Sequence, residues 1–182
     1  MGLVVTISGL HGTGKTTYAE ILSNGFNLRH FSAGMLFRQI ATEKGVSISS
    51  LTRVAAREDE IDRLVDDRTR MEAERGNVII DGLLAGWIAR EFADIKIFLT
   101  TPDDVRVLRI AKRDGISTSE ARKTTLFRER AEKRRFKTFY TIDIDDMNIY
   151  DLILNTELLP ITSNIKIMRK LVQEYIKFHG GT

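Results

Sequence analysis

Gly9-Leu10-His11-Gly12-Thr13-Gly14-Lys15-Thr16 sets glycines, a lysine and a hydroxyl at the spacing G-x-x-x-x-G-K-[ST]. Glycines let consecutive backbone N–H groups turn into one concavity, which suits phosphate oxygens. A helix opening there adds its positive dipole end. Lys15 is then spaced to reach the β- and γ-phosphates, and the Thr16 hydroxyl to ligate Mg²⁺. The expected nucleoside-triphosphate contacts are Gly9, Leu10, His11, Gly12, Thr13, Gly14, Lys15, Thr16 and Thr17. His11 reads as a solvent-facing loop residue, not a catalytic base. The motif by itself does not separate a kinase from a GTPase, a motor or a regulatory switch.

Asp81 ends the apolar run Val78-Ile79-Ile80. A carboxylate at that place can orient the water shell of Mg²⁺; the other reading is a cap for the following turn. No Asn-Lys-x-Asp is present to read guanine. Arg109 and Arg113 are four apart and share a helix face. Arg128 and Arg135 lie two turns apart on one face, with Glu129 and Glu132 between them. Phosphoryl transfer between two nucleotides gathers several negative charges. Catalysis is then mainly positioning and charge neutralisation, which guanidinium forks supply. No general base is needed where the acceptor is already a phosphate anion. The alternative is a solvated helix laced by pairs such as Arg128–Glu132 and Glu129–Lys133, and that is the reading for Arg130 and Lys133.

These residues need a scaffold. Leu3 to Ser8 is a short β-branched run that predicts a buried strand. Helix follows from Lys15 to Ser23, a weaker strand over Leu28 to Ser32, and helix over Ala33 to Lys44. Ser47 or Ser49 caps a helix ending near Arg57, and Asp59 or Glu60 opens another to Arg75. Strands follow at Val78 to Asp81 and Ile95 to Leu99. Pro102 starts a helix to about Arg113, and Ser117 or Thr118 caps a long polar helix to about Tyr140. Leu152 to Leu154 is a fifth strand, and Ile161 to Phe178 a closing helix. Trp87 and Ile88 read as core. Alternating strands and helices predict an α/β domain whose parallel sheet is covered on both faces. Ligands of such sheets sit at the C-terminal strand ends, which is where the chemistry-bearing residues fall.

With 182 residues and 42% hydrophobic content, the chain is long enough for one buried core and too short for two ordinary domains. Zero cysteines exclude disulfides, thiolate metal sites and thiol nucleophiles. No apolar run reaches the roughly 18–20 residues of a membrane span, and the N-terminus lacks signal-peptide character. The expectation is a cytoplasmic protein, monomeric, without membrane or nucleic-acid partners. The net charge of +3 is unevenly spread: Lys112 to Lys137 holds ten basic against four acidic residues. Such a cluster suggests an anionic ligand. An RNA-binding regulator is the remote alternative, with only Phe127, Phe136, Phe139 and Tyr140 for base stacking.

Several segments together resemble the archaeal-type cytidylate kinases. Ser32-Ala33-Gly34-Met35-Leu36-Phe37-Arg38 is similar to their Ser-Ala-Gly-x-x-Phe-Arg segment, and Ile61 to Arg68 to their Ile-Asp-x-x-x-Asp-x-Arg stretch. Gly76 to Ile80 with Leu84 to Trp87, the Arg128–Arg135 helix, and Ile142 to Leu152 continue the likeness. The resemblance implies a three-layer P-loop fold, a five-stranded parallel sheet of order 2-3-1-4-5 with helices on both faces. It implies ATP-dependent phosphorylation of CMP or dCMP by one domain over residues 1–182, with a monophosphate-binding arm at about 33–75 and a lid at about 113–140. By position it assigns Ser32, Arg38 and Arg68 to the monophosphate side, and Gly34, Glu132 and Arg135 are expected substrate contacts with them. It assigns Arg109 to the adenine of ATP, and Arg113, Arg128 and Arg135 to phosphates. The chain departs from the family at Leu83, where the family usually carries an arginine. Arg63 or Arg90 is the expected substitute; otherwise the acceptor is another monophosphate or a small metabolite. Leu10-His11 also replaces the family's usual Pro-Pro.

Overall fold

The computed structural model describes residues 2–55, 57–58 and 60–180; Asp59, one of two expected helix starts, lies outside them. The strands are β1 (Val4–Gly9), β2 (Arg29–Ser32), β3 (Val78–Asp81), β4 (Ile95–Thr100) and β5 (Leu152–Asn155). They form one parallel sheet in the order β2-β3-β1-β4-β5. This is the expected order. β1 sits centrally because all six of its residues are buried. Its side chains alternate, so Val5 and Ile7 pack on one face and Val4 on the other.

Helices cover both faces. The helices α1 (Lys15–Phe26) and α8 (Ile161–His179) cover the face of Val5 and Ile7, with Tyr18, Ala19, Leu22, Met168 and Val172 closing the largest apolar cluster. On the other face, α4 (Glu60–Arg75) and the short α5 (Ala85–Ile88) bring Ala73, Ala85 and Ala89 against Val4, Val78 and Ile80. Two groups carry their own apolar cores at the C-terminal edge of the sheet. One joins α2 (Ala33–Glu43), α3 (Ile48–Ala55) and α4 through Phe37, Ile40, Leu51, Ile61 and Val65. The other joins α6 (Asp103–Asp114) and α7 (Thr118–Tyr140) through Val107, Ile110, Ala111 and Ala121.

Helix starts follow the local chemistry. Ser32, Ser47 and Ser117 each accept a hydrogen bond from the backbone N–H three residues on. α5 is a helix for which the sequence displays no start signal. It is held from outside: Gly86 N–H donates to the buried Ser8 hydroxyl at 3.0 Å, and Tyr150 packs where a Gly86 side chain would stand.

Candidate active site

The loop after β1 is shaped by close backbone approaches. Gly9 has φ 144° and Gly12 φ 81°. A side chain at Gly9 would meet the Leu99 carbonyl oxygen at 2.3 Å, and one at Gly12 the Arg106 carbonyl oxygen at 2.7 Å. Only glycine satisfies both the dihedral angle and the space. Leu10 contributes its carbonyl, which accepts from the Thr13 hydroxyl and from Lys15 Nζ, both at 2.9 Å. Burial pushes the Lys15 ammonium down to about 8, against the opposing pull of Asp81 and Glu132.

Thr16 stands at the first turn of α1, and Asp81 at the end of β3. The Thr16 hydroxyl donates to Asp81 Oδ1 at 3.0 Å, and His30 Nε2 lies 2.8 Å from Asp81 Oδ2. A hydroxyl and a buried carboxylate side by side, facing the phosphate nest, are hard oxygen donors. They fit Mg²⁺, which takes few protein ligands and fills its octahedron with waters and phosphate oxygens.

A cavity of about 600 Å³ opens from this loop toward α2 and α4. His11, Gly12, Gly14, Lys15, Thr16, Thr17 and Asp81 line one end. Arg38 of α2, Arg109 and Arg113 of α6, and Arg128 and Arg135 of α7 also face it. Burial lowers the Arg38 guanidinium's pKa, and the nearby charges of Arg113 and Arg128 lower it further. A guanidinium opposed by two like charges at a cavity wall suits an anion. Arg113 is oriented by two bonds to Asp114, at 2.7 and 2.9 Å. Arg128 lies over the Phe37 ring at 5.3 Å and donates from Nε to Glu132 Oε1 at 2.8 Å. Arg135 pairs with Asp62 of α4, and both side chains are almost wholly buried. Beyond them sits Asp66, whose carboxyl is pushed up to about 7 by burial and by Asp62, with the Tyr140 hydroxyl opposing.

Arg109 donates to Thr156 Oγ1 at 3.1 Å and Glu157 at 2.8 Å. It borders a second hollow with Gly14, Thr17, Tyr18 and Pro160. Gly34 lines the main cavity, whereas the Ser32 hydroxyl is engaged as the α2 cap.

Four sequence expectations need correction. Arg63 and Arg68 do not line the cavity: both lie on the exposed face of α4, and Arg68 pairs with Glu72 at 2.7 Å. Arg90 does not replace the missing arginine either, because its guanidinium lies over the Trp87 ring at 6.0 Å. Leu83 itself lines the cavity and packs with Leu84, Phe136 and Ile144; half-buried Trp87 joins this cluster. The third correction is His11. Its ring faces inward, and Nε2 meets Glu132 Oε2 at 2.7 Å. Glu129 similarly bonds Arg106 rather than Lys133, which pairs with Asp145.

Arg106 is the polar residue the sequence reading missed. Its side chain is 2% exposed and donates to His11 O, Glu129 and Asp103. The available signal was its place on the apolar face of α6, beside Val107 and one turn before Ile110.

Residues 5–137 match the family described as "AAA domain". The cytidylate kinase of Staphylothermus marinus is 45% identical over 175 residues, covering 96% of this chain and 99% of that protein. The cytidylate kinase of Pyrococcus horikoshii is 47% identical over 154 residues, 85% of this chain and 80% of that protein. Among solved structures, a shikimate kinase from Bacteroides thetaiotaomicron is 19% identical with a TM-score of 0.62, covering 94% of this chain and 98% of that one. An uncharacterized protein from Eubacterium ventriosum has a TM-score of 0.68 at 17% identity, with coverage of 94% and 98%. The structural likenesses speak for the fold, and the sequence relatives are 45% and 47% identical over 96% and 85% of this chain: the chain belongs to the cytidylate kinase family of P-loop kinases.

Proposed function

We propose that this protein transfers the γ-phosphoryl group of ATP to CMP or dCMP, forming ADP and the nucleoside diphosphate. The observation that carries the reading is one continuous cavity with a phosphate nest at one end and the Arg38, Arg113 and Arg128 guanidiniums facing it. The names of the relatives supply the identity of the acceptor base.

ATP phosphates would lie on the backbone N–H groups of the Gly9–Thr16 loop, with Lys15 released from the Leu10 carbonyl to reach the terminal phosphates. Adenine would enter the hollow beside Arg109. The monophosphate's anionic oxygen is already a nucleophile, so no side chain need remove a proton. The arginines hold acceptor and donor phosphates in line and offset their repulsion. Mg²⁺, held by Thr16 and through its water shell by Asp81, would neutralise charge on the β- and γ-phosphates. The acceptor base would enter the half lined by Phe37, Val65, Asp66, Thr69 and Phe136, where rings stack and carboxyls accept from an exocyclic amine. The α2–α4 group would act as the monophosphate-binding arm and α7 as the lid, closing together to exclude water.

The protein is read as a cytoplasmic monomer acting on small molecules; among the described residues no helix is long and apolar enough to cross a membrane. Leu83 on the cavity wall, where the family usually carries an arginine, motivates one second reading, another nucleoside monophosphate or a small metabolite as acceptor. An ADP-release assay with MgATP over CMP, dCMP, UMP, AMP and GMP separates the two. Fastest turnover with CMP or dCMP supports the first reading, and a clear preference for another monophosphate replaces it.

A further inference from the structure

His11 stands on the donor side of the cavity, yet its ring is bound to the helix that carries the transfer arginines. Glu132, on the buried side of α7, divides its carboxylate between two partners. Oε2 meets His11 Nε2 at 2.7 Å, and Oε1 accepts from Arg128 Nε at 2.8 Å. The surrounding cations hold this carboxyl ionised: burial opposes its charge, but His11, Arg128 and Arg135 pull it well below the usual carboxylate range. Burial, together with Arg128 and Lys15, lowers the imidazole's own pKa, with Glu132 opposing. Facing an acceptor-only carboxylate, the ring carries a proton on Nε2 and donates it.

The His11 backbone is fixed from the same helix. Arg106 Nη1 donates to the His11 carbonyl at 2.8 Å and to Glu129 Oε1 at 2.5 Å, and Gly12 rests against the Arg106 backbone. The tip of the phosphate loop is therefore gripped twice by acids one turn apart on α7: once through its side chain, and once through Arg106. Arg128 in turn has two constraints, Glu132 at its Nε and the Phe37 ring beneath it.

We propose that His11 is a positioning residue for phosphoryl transfer: its ring fixes Glu132, which fixes the Arg128 guanidinium over the cavity, so that the donor loop sets the transfer arginine. Removing the ring leaves a buried Glu132 oxygen without its donor, and the carboxylate rotates to find another. Arg128 then loses the partner that aims it. The inference rests on phosphoryl transfer in this cavity, but not on the identity of the acceptor base.

A double-mutant cycle of H11A, R128A and H11A/R128A tests it, with His11→Gln as the conservative control, since the glutamine amide can donate to Glu132. The assay uses whichever monophosphate is turned over fastest, so a non-cytidine acceptor would revise the proposed function and leave this test intact. H11A is expected to lower kcat about tenfold, with the affinity for a non-hydrolysable MgATP analogue changed less than about twofold. H11Q should recover most of the loss. In the R128A background, H11A should cost almost nothing, because it acts through a side chain already gone. Thermal melting of each variant separates misfolding from misplacement. Additive losses in the cycle, or a loss in H11A confined to nucleotide-analogue affinity, overturn the proposal. So does turnover of H11A equal to that of the wild type.

Discussion

Lys15 is a charge made expensive by its own position. Desolvation depresses its pKa to about 8, because the loop that must exclude water from phosphates also excludes it from the ammonium. The depression means that the protonated form predominates below that value and is lost as pH rises through it. The kcat/KM for ATP reports the free enzyme. It should hold below pH 8 and fall toward a tenfold loss per pH unit above it, while kcat declines only at higher pH, since bound phosphates favour the charged form. Lys15→Ala should lower kcat by roughly 10²–10³ with the fold retained by circular dichroism. A flat profile to pH 10 would contradict the role given to the ammonium. A histidine in a glycine-rich loop looks exposed until the partner 121 positions away is known.

At the scale of elements, the helices around the cavity are joined by ionic contacts as well as by apolar packing. α7 is long and polar, with few buried apolar residues. It is anchored by Arg135 to Asp62 of α4, and through Glu129 to Arg106 of α6. The Arg135–Asp62 pair is shielded from water on both sides, so removing one partner leaves an uncompensated buried charge. Asp62→Ala should destabilise the protein by about 3–5 kcal/mol, and the urea midpoint measures it. A change within half a kcal/mol would show that Arg135 finds another partner. The same geometry accounts for the strong strand and helix boundaries. Ser32, Ser47 and Ser117 are local caps, and local chemistry is what a linear sequence displays. α5 had no such cap and owes its existence to Ser8 and Tyr150.

Across the whole molecule, positive charge converges on one cavity. Arg113 and Arg128 oppose the charge of Arg38 there, and the proposed substrates are polyanions that relieve that opposition. Binding of a MgATP analogue and CMP together should therefore stabilise the protein strongly. At a hundredfold excess over Kd, each ligand contributes about 2.7 kcal/mol, which for a chain of this size raises Tm by roughly 5–10 °C. Differential scanning fluorimetry with each ligand alone and both together checks this. No shift with CMP in the presence of the analogue would argue against the proposed acceptor half. The basic stretch Lys112–Lys137 is thus not one surface. Arg113, Arg128 and Arg135 turn into the cavity, while Lys133 pairs outward with Asp145.

By itself, the sequence determined the sheet, its strand order by family likeness, and the chemistry of the loop from Gly9 to Thr16. Those features are written in contiguous residues: hydrophobic runs, caps and glycine spacing act over a few positions. It also marked Asp81, Arg38, Arg109, Arg113, Arg128 and Arg135, all of which face the cavity. The Arg128–Glu132 pair was legible as an i,i+4 spacing, but tertiary structure alone decided which distant charges meet. It turned Arg63 and Arg68 out of the cavity, set Leu83 on its wall, and joined His11 to Glu132 and Arg106 to Glu129. The physical reason is range: a cap or a strand is a local minimum, whereas a buried charge takes whichever partner folding brings within about 3 Å, however far away in the chain.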